Sequence, residues 1–291
     1  MSTKPRNMHL LKGVVLATLI GLTTSACGTQ PATPAATPAQ AQWAQYAKIA
    51  DRPAVKLDWR DHPAAPKGFT DKDMDTFAKI EVSLISKSFS QKVAQMSPDD
   101  AIAYVMTDLT PATEYDYTSR LPKEIPGKHS WEWFLASLYK DNLTEPSKII
   151  RVDWNTETRP GKLDDGTPSR YLNLTLQVFA VQTLGPKDHP RNIIVSRAVR
   201  LSGFKPNGGP AWWPGFSSKT FPYGNDGCAL GEDSTLRPLR TVKYLKEDLV
   251  SLRKALAVKG VPAWRDRDFK KSEPKAIKAA AAFCAKHKDG M

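Results

Sequence analysis

The spacing of apolar residues predicts helices in the part of the chain that begins near residue 70. Three segments, starting at Thr70, Ser97 and Ser130, place apolar side chains three or four residues apart, as a helix with one buried face does. Thr70 and Asp73 have the spacing of a capping box, and Ser97 before Pro98 is a typical helix start. The apolar positions of the three segments are Phe77, Ile80, Leu84, Ile85 and Phe89; Ile102, Val105, Met106 and Leu109; and Trp131, Phe134, Leu135 and Leu138.

The apolar period then changes to two residues, which predicts strands. The runs 150–155, 172–180 and 193–201 alternate apolar with polar residues. Segments that contain Gly and Pro, at 160–166 and 185–186, separate these runs and are expected to be loops. Because the connections are short, neighbouring strands are expected to pair antiparallel.

Beyond these strands the helical spacing returns. Segment 206–216 is irregular and rich in Gly, Pro and Trp, and Phe221 and Tyr223 after it are expected on a last edge strand. Apolar residues at helical spacing over 242–256 predict a helix, and an Ala-rich helix is predicted from about Ser272. The order of helices, antiparallel strands and further helices predicts the α+β class.

The first 26 residues have the pattern of a secretory signal peptide. Lys4, Arg6 and Lys12 give the N-terminal segment a positive charge, and residues 13–26 contain an apolar run and no charge. That run is too short to cross a bilayer, which needs about 20 residues. The sequence therefore predicts export.

The residues after the apolar run sharpen this prediction. Thr24-Ser25-Ala26-Cys27 resembles the lipobox of bacterial lipoproteins, although Thr24 stands where Leu is usual. The resemblance implies that Cys27 becomes the first mature residue and carries lipid, including palmitate, on the extracytoplasmic side of the cell membrane. The alternative is an ordinary signal peptide cut after Ala26 or Ala41, which would release a free protein.

Composition divides the remaining chain. Residues 28–42 contain only Gly, Thr, Gln, Pro and Ala, too little apolar surface to offset the entropy of ordering. With the lipidated Cys27, the segment 27–42 is therefore predicted to be a disordered tether, with a reach of roughly 20 Å as a coil. An α+β domain at 43–240 and a C-terminal helical segment at 241–291 are expected to follow.

The charge balance favours anionic partners. The chain has 42 Lys and Arg against 30 Asp and Glu, a net charge of +12, and loss of Lys4, Arg6 and Lys12 with the signal peptide leaves 39 against 30, or +9. In a cell envelope the anionic candidates are lipid headgroups and wall polymers, whereas nucleic acid is a poor candidate for an exported protein. A solvated basic surface without a partner is the alternative.

Two cysteines remain after Cys27 is assigned to the lipobox. Cys228 and Cys284 are expected to form one disulfide in an oxidising compartment. Two free buried thiols are the alternative. The sequence contains no CxxC motif that would favour a metal site.

The element order over roughly residues 70–225 resembles the NTF2-like fold, in which helices pack on a curved antiparallel sheet that forms a cone. A cystatin-like fold, with one helix on an antiparallel sheet, is the nearest competitor. The NTF2-like resemblance implies either a binding module or an enzyme with an acid–base pair inside the cone, so fold alone does not decide between them.

Familiar catalytic and cofactor-binding motifs are missing from the sequence, including GxSxG, HExxH, the P-loop and GxGxxG. Asp71, Asp73 and Asp75 have the rhythm of a Ca²⁺ loop but lack its Gly and Glu, so acids in a first helical turn are the favoured interpretation. His129 with Asp153 is the one conceivable acid–base pair. No catalytic residue, metal or cofactor is therefore predicted.

Tryptophans supply the candidate binding residues. Trp131, Trp133 and Trp154 lie on predicted elements, and Trp212 with Trp213 lies in the Gly/Pro-rich segment. Such rings are either buried as a plug over the open end of the sheet or form a surface for an anionic or amphiphilic ligand or for an envelope protein. The predicted function is a membrane-anchored envelope lipoprotein with a ligand- or protein-binding domain. The alternative is an NTF2-like envelope enzyme that uses an acid–base pair.

Overall fold

The predicted α+β class and antiparallel sheet are confirmed. The chain forms a four-stranded antiparallel open sheet with several helices. The signal peptide, Cys27, His129 and Trp131 lie outside the described residues. The computed structural model describes residues 37–96, 98–108, 143, 145–185, 191–207, 209, 211–226, 228, 236, 238–239, 242–261 and 282–286.

The first helix, α1 (Pro38–Ala50), begins inside the segment for which composition predicts disorder. Thr37 and Gln40 form a capping box, in which Thr37 N donates to Gln40 Oε1 at 2.8 Å, and Pro38 occupies the first turn. Tyr46 and Ile49 are buried at the far end of the helix. The prediction of disorder is therefore wrong from Pro38 onward, because local capping and distant packing both favour the helix.

The predicted helix after Thr70 is confirmed as α2 (Asp71–Ser88), and its capping box with Asp73 is present. A single turn of 3₁₀ helix precedes it at Trp59–Asp61. Two shorter helices follow: α3 (Gln91–Ala94), which was not predicted, and α4 (Pro98–Met106), which starts at the predicted proline.

The sheet contains β1 (Lys148–Lys162), β2 (Pro168–Leu184), β3 (Arg191–Pro206) and β4 (Trp212–Tyr223). The strands lie in chain order, and every neighbouring pair is antiparallel, as predicted. The outer strands β1 and β4 are therefore the two edges of an open sheet.

β1 continues through Pro160 and Gly161, which were predicted to be a loop. An edge strand tolerates proline because its missing N–H need not pair with a neighbour. Gly161 lies against the ring of Tyr171, where a Cβ atom would come within 1.9 Å of a ring carbon. The turn instead follows at 163–167, where Gly166 has a φ of 83°.

The irregular segment predicted at 206–216 is also shorter than expected. β4 begins at Trp212, whose Cα pairs with that of Phe204, and it passes through Pro214. As in β1, the proline is on an edge strand. Pairing with β3 along most of β4 outweighs the local preference for a loop.

Helices pack on both sides of the sheet. α2 covers one side with α3 and α4, and α1 with a fifth helix, α5 (Val242–Ala257), packs against one end of the other side. The alternation of β-strand side chains divides the core accordingly. Buried residues on the α2 side include Phe77, Ile85, Leu172, Leu174, Leu176, Val178, Val195, Val199 and Leu201. Those on the α1–α5 side include Tyr46, Ile49, Ile150, Phe179, Ile194, Leu245, Leu249 and Leu252.

A disulfide ties the C-terminal part of the chain to the residues after β4. Cys228 is bonded to Cys284, with Cα atoms 5.4 Å apart, which agrees with the predicted pairing. Residues 282–286 are helical, inside the region where an Ala-rich helix was predicted. Phe283 in this segment contacts the ring of Tyr244 on α5, with centroids 5.7 Å apart.

Candidate functional site

Trp154 and Trp212, two of the tryptophans that were predicted to line one opening, lie on different strands at the two edges of the sheet. Trp154 on edge strand β1 faces α2 and packs into the core, where its indole N–H is buried without a hydrogen-bond partner. Trp212 lies on the opposite edge strand. The strand pairing across the sheet places the Cα atom of Trp212 in line with that of Arg159 and not with that of Trp154. Trp213 follows Trp212, and Trp131 and Trp133 lie outside the described residues. Trp154 therefore has a structural position.

Asp153, the proposed partner of His129, forms an ion pair with Arg151. Arg151 Nε lies 2.5 Å from Asp153 Oδ2 and Arg151 Nη2 lies 3.0 Å from Oδ1. The same guanidinium donates to the carbonyl oxygens of Leu256, at 2.7 Å, and Val258 at the C-terminal end of α5. A cation at this end of a helix is favourable because carbonyl groups there lack helical partners. Asp153 thus orients an arginine that caps α5.

Two of the three acids at the start of α2, Asp73 and Asp75, contact different partners. Burial opposes ionisation of Asp73, but hydrogen bonds from Lys205, at 2.6 Å, and from Thr70 lower its pKa below the usual value. Asp75 accepts from His62 instead. Among the described residues, no group of three or more His, Cys, Asp or Glu is arranged to bind a metal.

A histidine–aspartate pair that the sequence did not indicate lies beside α2. His62 Nε2 is 3.0 Å from Asp75 Oδ1, and His62 Nδ1 is 2.7 Å from the carbonyl oxygen of Pro63. Both partners are hydrogen-bond acceptors, and each lies against a different ring nitrogen of His62. Because both ring nitrogens are engaged and the side chain is only 10% exposed, the pair links the segment before α2 to the helix.

Glu81 is a second feature that the pattern of α2 did not indicate. The side chain is fully buried between α2 and the sheet, where Oε1 accepts a hydrogen bond from Leu201 N at 2.9 Å. Its other oxygen, Oε2, is buried without a partner. Burial raises the pKa of Glu81 well above the usual value, against the effect of that hydrogen bond.

The packing of α1, α5 and β4 also buries a carboxyl group near two tyrosines. Asp248 on α5 accepts a hydrogen bond from Gly224 N at 2.6 Å, and burial raises the pKa of Asp248 against that bond. Burial and the charge of Asp248 likewise raise the pKa of Tyr46 and of Tyr223. These groups connect the two helices to the end of β4.

The outer surface of α1 and α5 is strongly basic. Six exposed basic residues lie on these two helices and in the residues that follow them, and we call this set the basic surface. Within the described residues of the same segments, the exposed acidic residues are Asp51 and Glu247. The basic surface consists of Lys48, Arg52, Lys246, Arg253, Lys254 and Lys259.

A shallow cleft runs between the two helices at this surface. Ile49, Leu256 and Ala257 form its apolar part, and Arg52 and Arg253 flank it. Arg253 also donates to Gln45 Oε1 across the helix pair at 2.8 Å. The cleft therefore combines apolar contact area with two positive charges.

The outward side of α5 carries apolar residues as well. Val250 is 45% exposed and Val258, just after the helix, is 43% exposed. Lys246, Val250 and Lys254 are spaced four residues apart, so they follow one side of the helix. This second stripe is visible in the sequence beside the leucine stripe that faces the core.

Comparison of the chain with protein-family models, with curated proteins and with solved structures found no match.

Proposed function

We propose that this chain is a lipid-anchored protein of the bacterial cell envelope, exposed on the extracytoplasmic side of the cell membrane, and that its α+β domain binds a ligand or another protein. The observation that most strongly supports a lipid anchor is the sequence Thr24-Ser25-Ala26-Cys27, which lies shortly before α1 in the chain. Eleven residue steps separate Cys27 from Pro38, a distance of at most about 40 Å when fully extended. Lipid on Cys27 would keep the domain at the membrane surface.

The disulfide supports export. Disulfides persist in oxidising compartments and are rare where thiols are kept reduced. The pairing of Cys228 with Cys284 joins residues 56 positions apart and attaches the C-terminal segment to the domain. In the described part of the chain, no helix is at once long enough and apolar enough to cross a membrane.

The surroundings of the candidate acids and bases support binding over catalysis. Asp153 forms an ion pair with Arg151. Both ring nitrogens of His62 make hydrogen-bond contacts, one with Asp75 and one with a backbone carbonyl. The basic surface, by contrast, is exposed. We also propose an NTF2-like or cystatin-like organisation, supported by the simple strand order and by the long helix α2 on one side of the sheet.

Trp212 and Trp213 remain part of the proposed binding surface. They begin β4, an edge strand of an open sheet, and an edge strand offers backbone groups that another chain can pair with. Partner binding at this edge is a proposal separate from the lipid anchor.

The substitution Cys27→Ser tests the anchor in a bacterium that processes lipoproteins. The wild-type chain is expected in the membrane and in the detergent phase of a phase partition, whereas Cys27→Ser is expected to be released or to stay unprocessed. Cys284→Ser is the control for loss of a cysteine outside the lipobox, and it should leave the chain in the membrane because the lipobox is intact. Unchanged membrane retention and gel mobility of Cys27→Ser would contradict the proposal. Mass spectrometry of the N-terminus identifies cleavage after Ala26 or Ala41.

A further inference from the structure

We propose that the basic surface of α1 and α5 docks onto the anionic phospholipid headgroups of the membrane that anchors the chain. This inference rests on the proposed function, because the lipid on Cys27 places the domain at that membrane. The docking surface comprises the six residues of the basic surface and two exposed valines, Val250 on α5 and Val258 just after it.

Charge complementarity is the first argument. Among the described exposed residues here, six cations against two acids, Asp51 and Glu247, leave an excess of four positive charges. An anionic leaflet attracts clustered Lys and Arg, and the attraction decays within a Debye length, about 8 Å at physiological salt. The residues must therefore lie close to the headgroups, which their position on two adjacent helices allows.

The apolar residues on the outward side of α5 are the second argument. The helix buries Leu245, Leu249 and Leu252 against the sheet, yet it also exposes Val250, and Val258 follows its last turn. A helix at a membrane surface combines basic residues with apolar ones that enter the boundary between headgroups and acyl chains. The cleft beside Arg52 and Arg253 offers further apolar contact area at the same surface.

The position of the anchor is the third argument. α1 is the first described element after Cys27, and its side chains contact α5 directly, as the Arg253–Gln45 hydrogen bond shows. The composition of residues 28–37 predicts a coil, and a coil of eleven residues has an end-to-end distance of about 17–20 Å, so a lipid on Cys27 would keep this surface near the bilayer. Tethering converts weak docking into an intramolecular event with an effective concentration in the millimolar range.

Vesicle flotation of the full chain carrying Cys27→Ser tests docking without a lipid on Cys27. The vesicles are phosphatidylcholine with or without about 30% phosphatidylglycerol, at low salt. The test variant adds Lys246→Gln, Lys254→Gln and Lys259→Gln, three exposed residues on or beside α5. Each cation near an anionic surface strengthens binding about fivefold, so this variant should bind the anionic vesicles about a hundredfold more weakly.

The matched control removes the same charge elsewhere. Lys67→Gln, Lys72→Gln and Lys162→Gln alter exposed lysines near the opposite end of the sheet, and this variant should bind as the parent does. Circular dichroism verifies that both triple variants are folded. The proposal is overturned by equal weakening in both variants, by no weakening in the α5 variant, or by equal binding of the parent to neutral and anionic vesicles. Preference of the parent for purified wall polymer over anionic vesicles also overturns it.

The two proposals fail in different ways. Membrane retention of Cys27→Ser in cells, with its mobility unchanged, would refute the lipid anchor without affecting the vesicle measurement. Loss of the difference between the two lysine variants would refute docking without affecting the fractionation of the wild-type chain.

Discussion

Replacement of Glu81 by Gln isolates the effect of one buried carboxyl group on stability. Glu81 lies under the sheet, with Oε1 bonded to Leu201 N and Oε2 without a partner. Glutamine has almost the same shape and keeps an oxygen that can accept from Leu201 N, but it cannot ionise. The variant therefore changes the charge state available at this position and leaves the packing of α2 nearly intact.

The sign and size of the effect follow from linkage. Because burial raises the pKa of Glu81 in the folded protein, the folded state retains a proton that the unfolded chain releases. The stabilisation of the protonated form is fully present below the unfolded pKa of about 4.5 and is lost as the pH rises through the folded pKa. At about 1.36 kcal/mol per pH unit, the interval from 4.5 to pH 8 limits this loss of unfolding free energy to about 4.8 kcal/mol.

Urea unfolding of both proteins at about pH 5 and about pH 8 measures this effect. At the lower pH, Glu81→Gln should lie within about 1 kcal/mol of the wild type, since an additional buried N–H group of the amide lacks a partner. At the higher pH the variant should be more stable than the wild type, by an amount below this limit. Contributions from Asp248 cancel, because both proteins contain it. Parallel pH profiles of the two proteins would refute the reasoning.

Two further predictions concern the disulfide and the tryptophan pair. Cys284→Ser removes a cross-link between residues 56 positions apart, so it should lower the free energy of unfolding by about 4 kcal/mol. Urea unfolding without reductant measures this difference. Stability equal to that of the wild type would show that the bond contributes nothing. The double variant Trp212→Ala, Trp213→Ala should fold, as judged by circular dichroism, and should lose envelope proteins that copurify with the wild type. Unfolding would assign these rings to the core, and unchanged copurification would place the binding surface elsewhere.

Local sequence signals determined the helices α2, α4 and α5 and the general class of this fold. Thr70 and Asp73 specify the start of α2 because a capping box involves only residues within one turn. The leucine stripe of α5 and the alternation in β2 likewise depend on the period of a single element. The outward stripe with Val250 was equally local and could have been found from the same spacing.

Tertiary structure decided the features that depend on distant neighbours. Proline and glycine at 160–161 favour a loop locally, but β2 pairs with them, and the edge position of β1 removes the penalty of the missing N–H. Trp212 belongs to a strand for the same reason, since β3 supplies its partner. The contact of His62 with Asp75 and the burial of Glu81 depend on how α2 packs. Free energies of pairing and burial arise between residues far apart in sequence, so no local spacing could reveal them.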